Sequence, residues 1–181
     1  MLARPHSRPP RRTLDSMDLD DFLRTHGIAA ARHEHPAVMT VEESERLVPK
    51  LPGGKTKNLF LRDRKGRRHL LVTVAARRTV NLAALGELLG TGPLGFASPE
   101  RLMKYLGITP GSVSLLGLAN DTAHAVEFAI DRELWEAEAV QAHPLVNTAT
   151  MVVPHADLER FLAATGHVAR VIDVPAADAA A

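Results

Sequence analysis

Residues 55–74 read Lys55-Thr56-Lys57-Asn58-Leu59-Phe60-Leu61-Arg62-Asp63-Arg64-Lys65-Gly66-Arg67-Arg68-His69-Leu70-Leu71-Val72-Thr73-Val74. Two short apolar runs flank a charged segment that contains a glycine. The spacing predicts a strand over 58–62, a turn at 63–66 and a returning strand over 69–74, a β-hairpin. Upstream, Leu19, Phe22 and Leu23 have helical spacing, and Gly27 can stop that helix. Thr40 with Glu43 makes a capping box before a short helix that ends near Pro49. Downstream, Leu82, Leu85, Leu88 and Leu89 form a helical stripe. Ser98-Pro99-Glu100 supplies an N-cap, a first-turn proline and a first-turn acid for a helix that carries Leu102, Met103 and Leu106 and stops at Gly107. Strands are expected at 125–130, 148–153 and 168–174, and a helix at 154–164. The alternation implies an α+β (mixed α/β) domain over 14–175, with no internal repeat and no linker to split it.

Length and composition narrow the function classes. The chain has 181 residues, enough for one domain with a sizeable core. It has no cysteine, which excludes disulfide scaffolds, Cys-zinc sites and thiol nucleophiles and fits a cytoplasmic protein. No apolar run approaches the roughly 18 residues of a membrane helix, so no membrane partner is expected. Residues 1–13 hold four arginines, three prolines and no acid, and are expected to form a disordered basic tail; 176–181 are expected to form a second tail.

The formal net charge of +1 hides a segregated distribution. Residues 50–78 carry ten basic side chains against Asp63, a local charge of +9, whereas 121–181 carry three arginines against ten acids, −7. A basic block of this kind fits either a polyanion partner or a solvated hairpin. With one Trp, one Tyr and five Phe, an aromatic base-stacking platform is not expected.

Several motifs fail. Gly54-Lys55-Thr56 resembles the end of a phosphate-binding P-loop, but Pro49 stands where that motif needs its first glycine. There is no dinucleotide fingerprint and no nucleophile-elbow serine. His33-Glu34-His35 would put both histidines on one strand face, but without a third ligand it reads as a structural pair. Three elements remain, each weak alone: the Gly53–Leu61 stretch, the Gly/Ser-rich loop of 109–121, and His143-Pro144 through Thr150.

In this order, these elements resemble one family. The markers are His35-Pro36-Ala37-Val38 with Thr40, Lys55 through Leu61, Leu106-Gly107, the Gly111 loop with Asn120-Asp121, His143-Pro144 with Asn147-Thr148-Ala149-Thr150, and Thr165-Gly166-His167. They cover about residues 17–174. The sequence is similar to the free-standing members of the YbaK / prolyl-tRNA synthetase insertion-domain superfamily, nearest the ProXp-ala branch of alanyl-tRNA(Pro) deacylases. The resemblance implies a curved, barrel-like mixed β-sheet flanked by helices. It also implies hydrolysis of the ester that joins alanine to the terminal adenosine of tRNA(Pro), with no cofactor and no metal.

The resemblance further assigns residues. Lys57 holds a phosphate or the ribose, or stabilises developing negative charge. Asn58 orients water or the α-amino group, or stabilises a turn. Backbone amides at Gly111, Ser112, Val113 and Ser114, with Leu115, shape the oxyanion and amino-acid site. His143 limits the pocket or acts as a base, and His35 supports the pocket wall. The family loop reads Gly-x-x-x-Pro, and Leu115 stands where the proline is usual, which opens the question of substrate choice. Lys50, Lys55, Arg62, Arg64, Lys65, Arg67 and Arg68 are candidates for contact with the acceptor stem of mischarged tRNA(Pro), whose 3′ end enters the pocket. Prolyl-tRNA synthetase is a candidate transient partner. Deacylation of a cysteinyl or seryl tRNA on the same fold, and a non-catalytic tRNA-binding module, stay open as alternatives.

Overall fold

The computed structural model describes residues 16–177. The expected tail at 1–13 lies outside the described residues. The elements run α1 (Ser16–Thr25), β1 (Ala31–Glu34), α2 (Val41–Leu47), β2 (Gly54–Asp63), β3 (His69–Ala75), α3 (Leu82–Leu89), β4 (Leu94–Phe96) and α4 (Pro99–Leu106). A 3-10 helix (Leu115–Asn120) follows, then β5 (Val126–Asp131), α5 (Arg132–Trp135), β6 (Ala139–Ala142), β7 (Ala149–Pro154), α6 (His155–Thr165) and β8 (Ala169–Ile172).

Local signals account for several of these boundaries. The capping box forms at α2: the Glu43 N–H donates to Thr40 Oγ1 at 3.1 Å, and the Thr40 N–H donates to Glu43 Oε2 at 3.3 Å. Ser98 Oγ caps α4 by accepting from the Arg101 N–H, with Pro99 behind it. In the hairpin turn, Asp63 Oδ1 accepts from the Arg67 and Arg68 amides at 2.7 and 3.1 Å. The one acid of the basic block therefore closes the turn with its carboxylate. At the C-terminal end Ala176 bridges Val80, and the Ala177 N–H donates to Thr79 O, so ordered pairing reaches past 175.

The eight strands form one mixed sheet in the order β1-β7-β6-β2-β3-β5-β8, with β4 also on β2. β1 and β8 are the two ends of this path, so the curled sheet is not a closed barrel. β2 joins its two halves. Its first residues pair in parallel with β6 (Gly54↔Val140, Lys55↔Gln141), and its remainder pairs antiparallel with β3 from Thr56↔Ala75 to Arg62↔His69. Gly53 permits the junction. Its φ is +86°, and an added Cβ would lie 2.6 Å from Ala139 O.

β2 is buried on both faces. Phe60 enters the core that contains Leu19, Leu106 and Phe161, whereas Leu61 enters a second cluster with Leu85 and Leu89 of α3. Helices thus cover both sides of the sheet, as expected for consecutive side chains on a strand. Beyond the apolar run, the polar start of β2 (Gly54 to Lys57) is held extended by its pairing with β6 and β3. The strand begins four residues earlier than its propensity predicts, and Lys57 is embedded in it.

Candidate active site

At the start of β2 the sheet opens into a cavity of about 300 Å³. Four distant segments supply its wall: Val38 to Thr40 before α2, Lys55 to Asn58 of β2, Gly111 with Val113, and Gln141 to His143 at the end of β6. Ala76, just after β3, and Thr150 of β7 complete it. Two lysines line it and no carboxylate does, so the site favours a negatively charged ligand.

Lys57 Nζ donates to the Arg78 backbone carbonyl at 2.6 Å. Burial lowers its pKa below 10.5. That carbonyl is itself held in place. Arg78 Nε lies 2.8 Å from Asp131 Oδ2, an ion pair whose N–H is not aligned for a hydrogen bond. The same guanidinium donates to Val174 O and Glu133 Oε2, each at 3.1 Å. Burial raises the Asp131 pKa, and Arg78 opposes that rise. Asn58 Oδ1 accepts from the Thr73 hydroxyl at 2.7 Å, which fixes its amide and turns Nδ2 toward Thr56 Oγ1 at 3.5 Å.

His143 Nδ1 stands 3.0 Å from Ala149 O. A carbonyl only accepts, so Nδ1 carries the proton and the neutral ring keeps its lone pair on Nε2. Burial lowers the His143 pKa below 6.5; the Ala149 hydrogen bond raises it and nearby His35 adds to the lowering. His35 is engaged at both nitrogens, with Nδ1 at 2.8 Å from Pro36 O and Nε2 at 3.0 Å from Thr150 Oγ1. It stands behind Thr150 and supports the wall without lining the cavity. His33 lies in β1 opposite Thr150, and no group of three metal-ligating side chains occurs among the described residues.

The structure brings Lys57, Asn58, Gly111, Val113 and His143 to one cavity. It does not bring Ser112, Ser114 or Leu115 there. Ser114 is fully buried and its Oγ caps the 3-10 helix by accepting from the Leu116 N–H; Leu115 is fully buried in the main core. The departure from the family proline therefore falls in the core and not on the cavity wall.

The basic residues divide into distinct places. Lys55 lines the cavity together with Thr56, Lys57 and Asn58. Lys50, Arg64, Lys65 and Arg67 are exposed. Arg62, Arg64 and Lys65 border a separate open groove with Phe96, Ser98 and Arg101. Arg68 is engaged within the protein: Nε and Nη2 each donate to a Glu127 carboxylate oxygen at 2.7 Å, and Nη1 donates to Gly90 O.

Sequence reasoning missed Met39 and Gln141, and it placed Thr150 in a motif without a role in the site. The Gln141 amide donates to the carbonyls of Leu51, Pro52 and Gly53 at 2.9 to 3.2 Å and so pins the loop that enters β2. Its backbone carbonyl accepts from the Thr56 hydroxyl at 2.6 Å. No local pattern announces these contacts, since each spans more than 80 positions.

The family model described as aminoacyl-tRNA editing domain matches residues 35–161. The chain is 40% identical over 141 residues to the prolyl-tRNA editing protein ProX of Acetoanaerobium sticklandii, covering 78% of this chain and 86% of that protein. It is 41% identical over 152 residues to the prolyl-tRNA synthetase associated domain-containing protein 1 of Danio rerio, covering 83% and 82%. A solved structure of a candidate trans-editing enzyme for prolyl tRNA synthetase shares the fold, with a TM-score of 0.67 at 24% identity over 90% of this chain and 97% of that one. A model match over most of the chain and two relatives aligned along most of their length lead to one conclusion: this chain belongs to the aminoacyl-tRNA editing domain family.

Proposed function

We propose that the chain is a trans-acting deacylase that hydrolyses the ester of mischarged alanyl-tRNA(Pro). The observation that carries this reading is the convergence of Lys57, Asn58, Gly111 and His143 on one small cationic cavity in a member of an editing family. The relative named a prolyl-tRNA editing protein supports the choice of tRNA.

The chemistry asks little of a nucleophile. An aminoacyl ester is already activated, so a positioned water suffices. Its oxygen attacks the ester carbon, the carbonyl oxygen takes up negative charge, and the C–O bond to the ribose breaks. The proton lost by the water goes to the leaving oxygen, which gives free alanine and uncharged tRNA. Lys57 holds the terminal phosphate or stabilises the developing charge, the kind of contact worth about 100- to 1,000-fold in rate. Asn58, oriented by Thr73, positions water or the α-amino group. Neutral His143 bounds the side-chain space, with its Nδ1 proton donated to Ala149 O and its lone pair on Nε2.

A proline-binding site discriminates weakly against a smaller residue, because a missing methylene is worth only about 1–3 kcal/mol. A second, narrower site completes the sieve. The 3′ end enters the cavity. The acceptor stem meets Lys50, Lys55, Arg62, Arg64, Lys65 and Arg67, contacts that give affinity and position rather than sequence readout. Prolyl-tRNA synthetase is a transient partner in this reading, and the cytoplasm is its compartment. No helix among the described residues is long and apolar enough to cross a membrane. The test is release of amino acid from tRNA(Pro) charged with alanine, against cysteinyl, seryl and prolyl esters. Selective release of alanine is expected. Binding of the tRNA without release of any amino acid would leave only a tRNA-binding module.

A further inference from the structure

Met39 forms a wall of the cavity that no motif announces. Its side chain is 65% exposed, yet it lies directly over Gly111. A Cβ built on Gly111 would come 2.9 Å from Met39 Cε and 3.2 Å from Sδ. Gly111 has φ +90°, and its missing side chain leaves the space that the thioether occupies. Met39 Sδ also accepts from Asn147 Nδ2 at 3.1 Å.

The backbone beneath this side chain is fixed. The Met39 N–H donates to Glu43 Oε2 at 2.7 Å, the Val38 N–H donates to Asn147 O at 3.1 Å, and Asn147 Nδ2 donates to Val38 O at 3.2 Å. The other walls are fixed as well. Thr150 is tied to His35, Lys57 to the Arg78 carbonyl, and His143 to Ala149. Met39 differs from them. It is unbranched, has three rotatable bonds, and is held at its tip by apolar contact and a weak sulfur acceptor. The space over Gly111 is therefore set by a side chain that can swing without moving the backbone.

We propose that Met39 is a specificity-determining residue, an adjustable wall laid over Gly111 that limits the volume open to the aminoacyl side chain. The assignment rests on the deacylase reading. Volume is what it controls, so shortening it admits bulkier side chains, whereas replacing sulfur with carbon at similar size changes little.

The test uses tRNA(Pro) esterified separately with alanine, valine and proline, followed in single-turnover reactions at saturating protein. Met39→Ala is expected to raise the rates on the valyl and prolyl esters relative to the alanyl ester by on the order of tenfold or more. Met39→Leu is expected to keep the wild-type ratios. Met39→Val, which shortens the side chain but keeps an apolar stem, gives the same comparison if the alanine variant melts early. Unchanged ratios in the shortened variants, or equal slowing on all three esters, would overturn the assignment and leave the deacylase reading standing. No release by the wild-type protein from any ester would overturn both.

Discussion

Lys57→Ala isolates the one ammonium whose setting the fold controls most closely. In the free protein this group donates to Arg78 O at 2.6 Å and loses part of its hydration, and the two effects oppose each other in stability. A hydrogen bond from a charged group contributes about 1.5–3 kcal/mol, and the burial that lowers the pKa offsets much of it. Removing both should change stability by roughly 1 kcal/mol or less. Catalysis has no such cancellation, because the charge is needed where negative charge develops. Deacylation of alanyl-tRNA(Pro) should fall about 100-fold or more. The pH dependence carries the same signature. Since burial lowers the Lys57 pKa, the wild-type rate should decline on the alkaline side at a pH below 10.5, and the variant should lack that limb. The stability sign is opposite. Between the lowered pKa and 10.5 the unfolded chain binds more protons, so the Lys57 contribution to stability rises with pH across that window. The assay is single-turnover release of alanine at saturating protein, corrected for spontaneous ester hydrolysis, beside urea melts at several pH values. A variant with near-normal rate and an intact alkaline limb would refute this placement of the functional cation.

Other expectations follow from contacts away from Lys57 itself. Arg78→Gln removes the ion pair that anchors the acceptor of Lys57, so it should lower the single-turnover rate with little change in tRNA affinity, and Arg78→Lys should restore part of it. Reversing Arg62, Arg64 and Lys65 together should flatten the log-log salt dependence of tRNA binding, measured by filter binding. Reversing Arg68, which Glu127 already engages, should leave the slope nearly unchanged and lower the melting temperature instead. Asp121 and His167 form a buried pair at 3.2 Å, and Asp121 also accepts from the Ala125 and Val126 amides. His167→Ala removes one hydrogen bond to the Asp121 carboxylate and should cost about 1.5–3 kcal/mol in urea unfolding, and a loss below about 0.5 kcal/mol would show the pair to be dispensable.

Much of the fold is legible along the chain because its signals are local. The Thr40–Glu43 box, the Ser98-Pro99 helix start and the 58–74 hairpin each depend on neighbours a few residues apart, and each forms. The two ends of the cavity motif, Lys57 and His143, are likewise recognisable as residue types in order. Burial and partners were not legible in the same way. The sequence presents Ser112, Val113, Ser114 and Leu115 as one loop, and the core takes all but Val113 out of reach of the cavity. It presents Arg62 and Arg68 as equivalent cations, and Glu127, 59 positions away, engages one of them. β6, a four-residue run of Ala139-Val140-Gln141-Ala142, has little intrinsic preference for a strand and exists because β2 and β7 pair with it. Sequence determined the local elements and the chemical inventory, through short-range capping, spacing and periodicity. Which of those groups share a cavity, and that Met39 closes it over Gly111, was decided by pairings that join residues far apart in the chain, because only the assembled sheet brings their backbones within hydrogen-bonding distance.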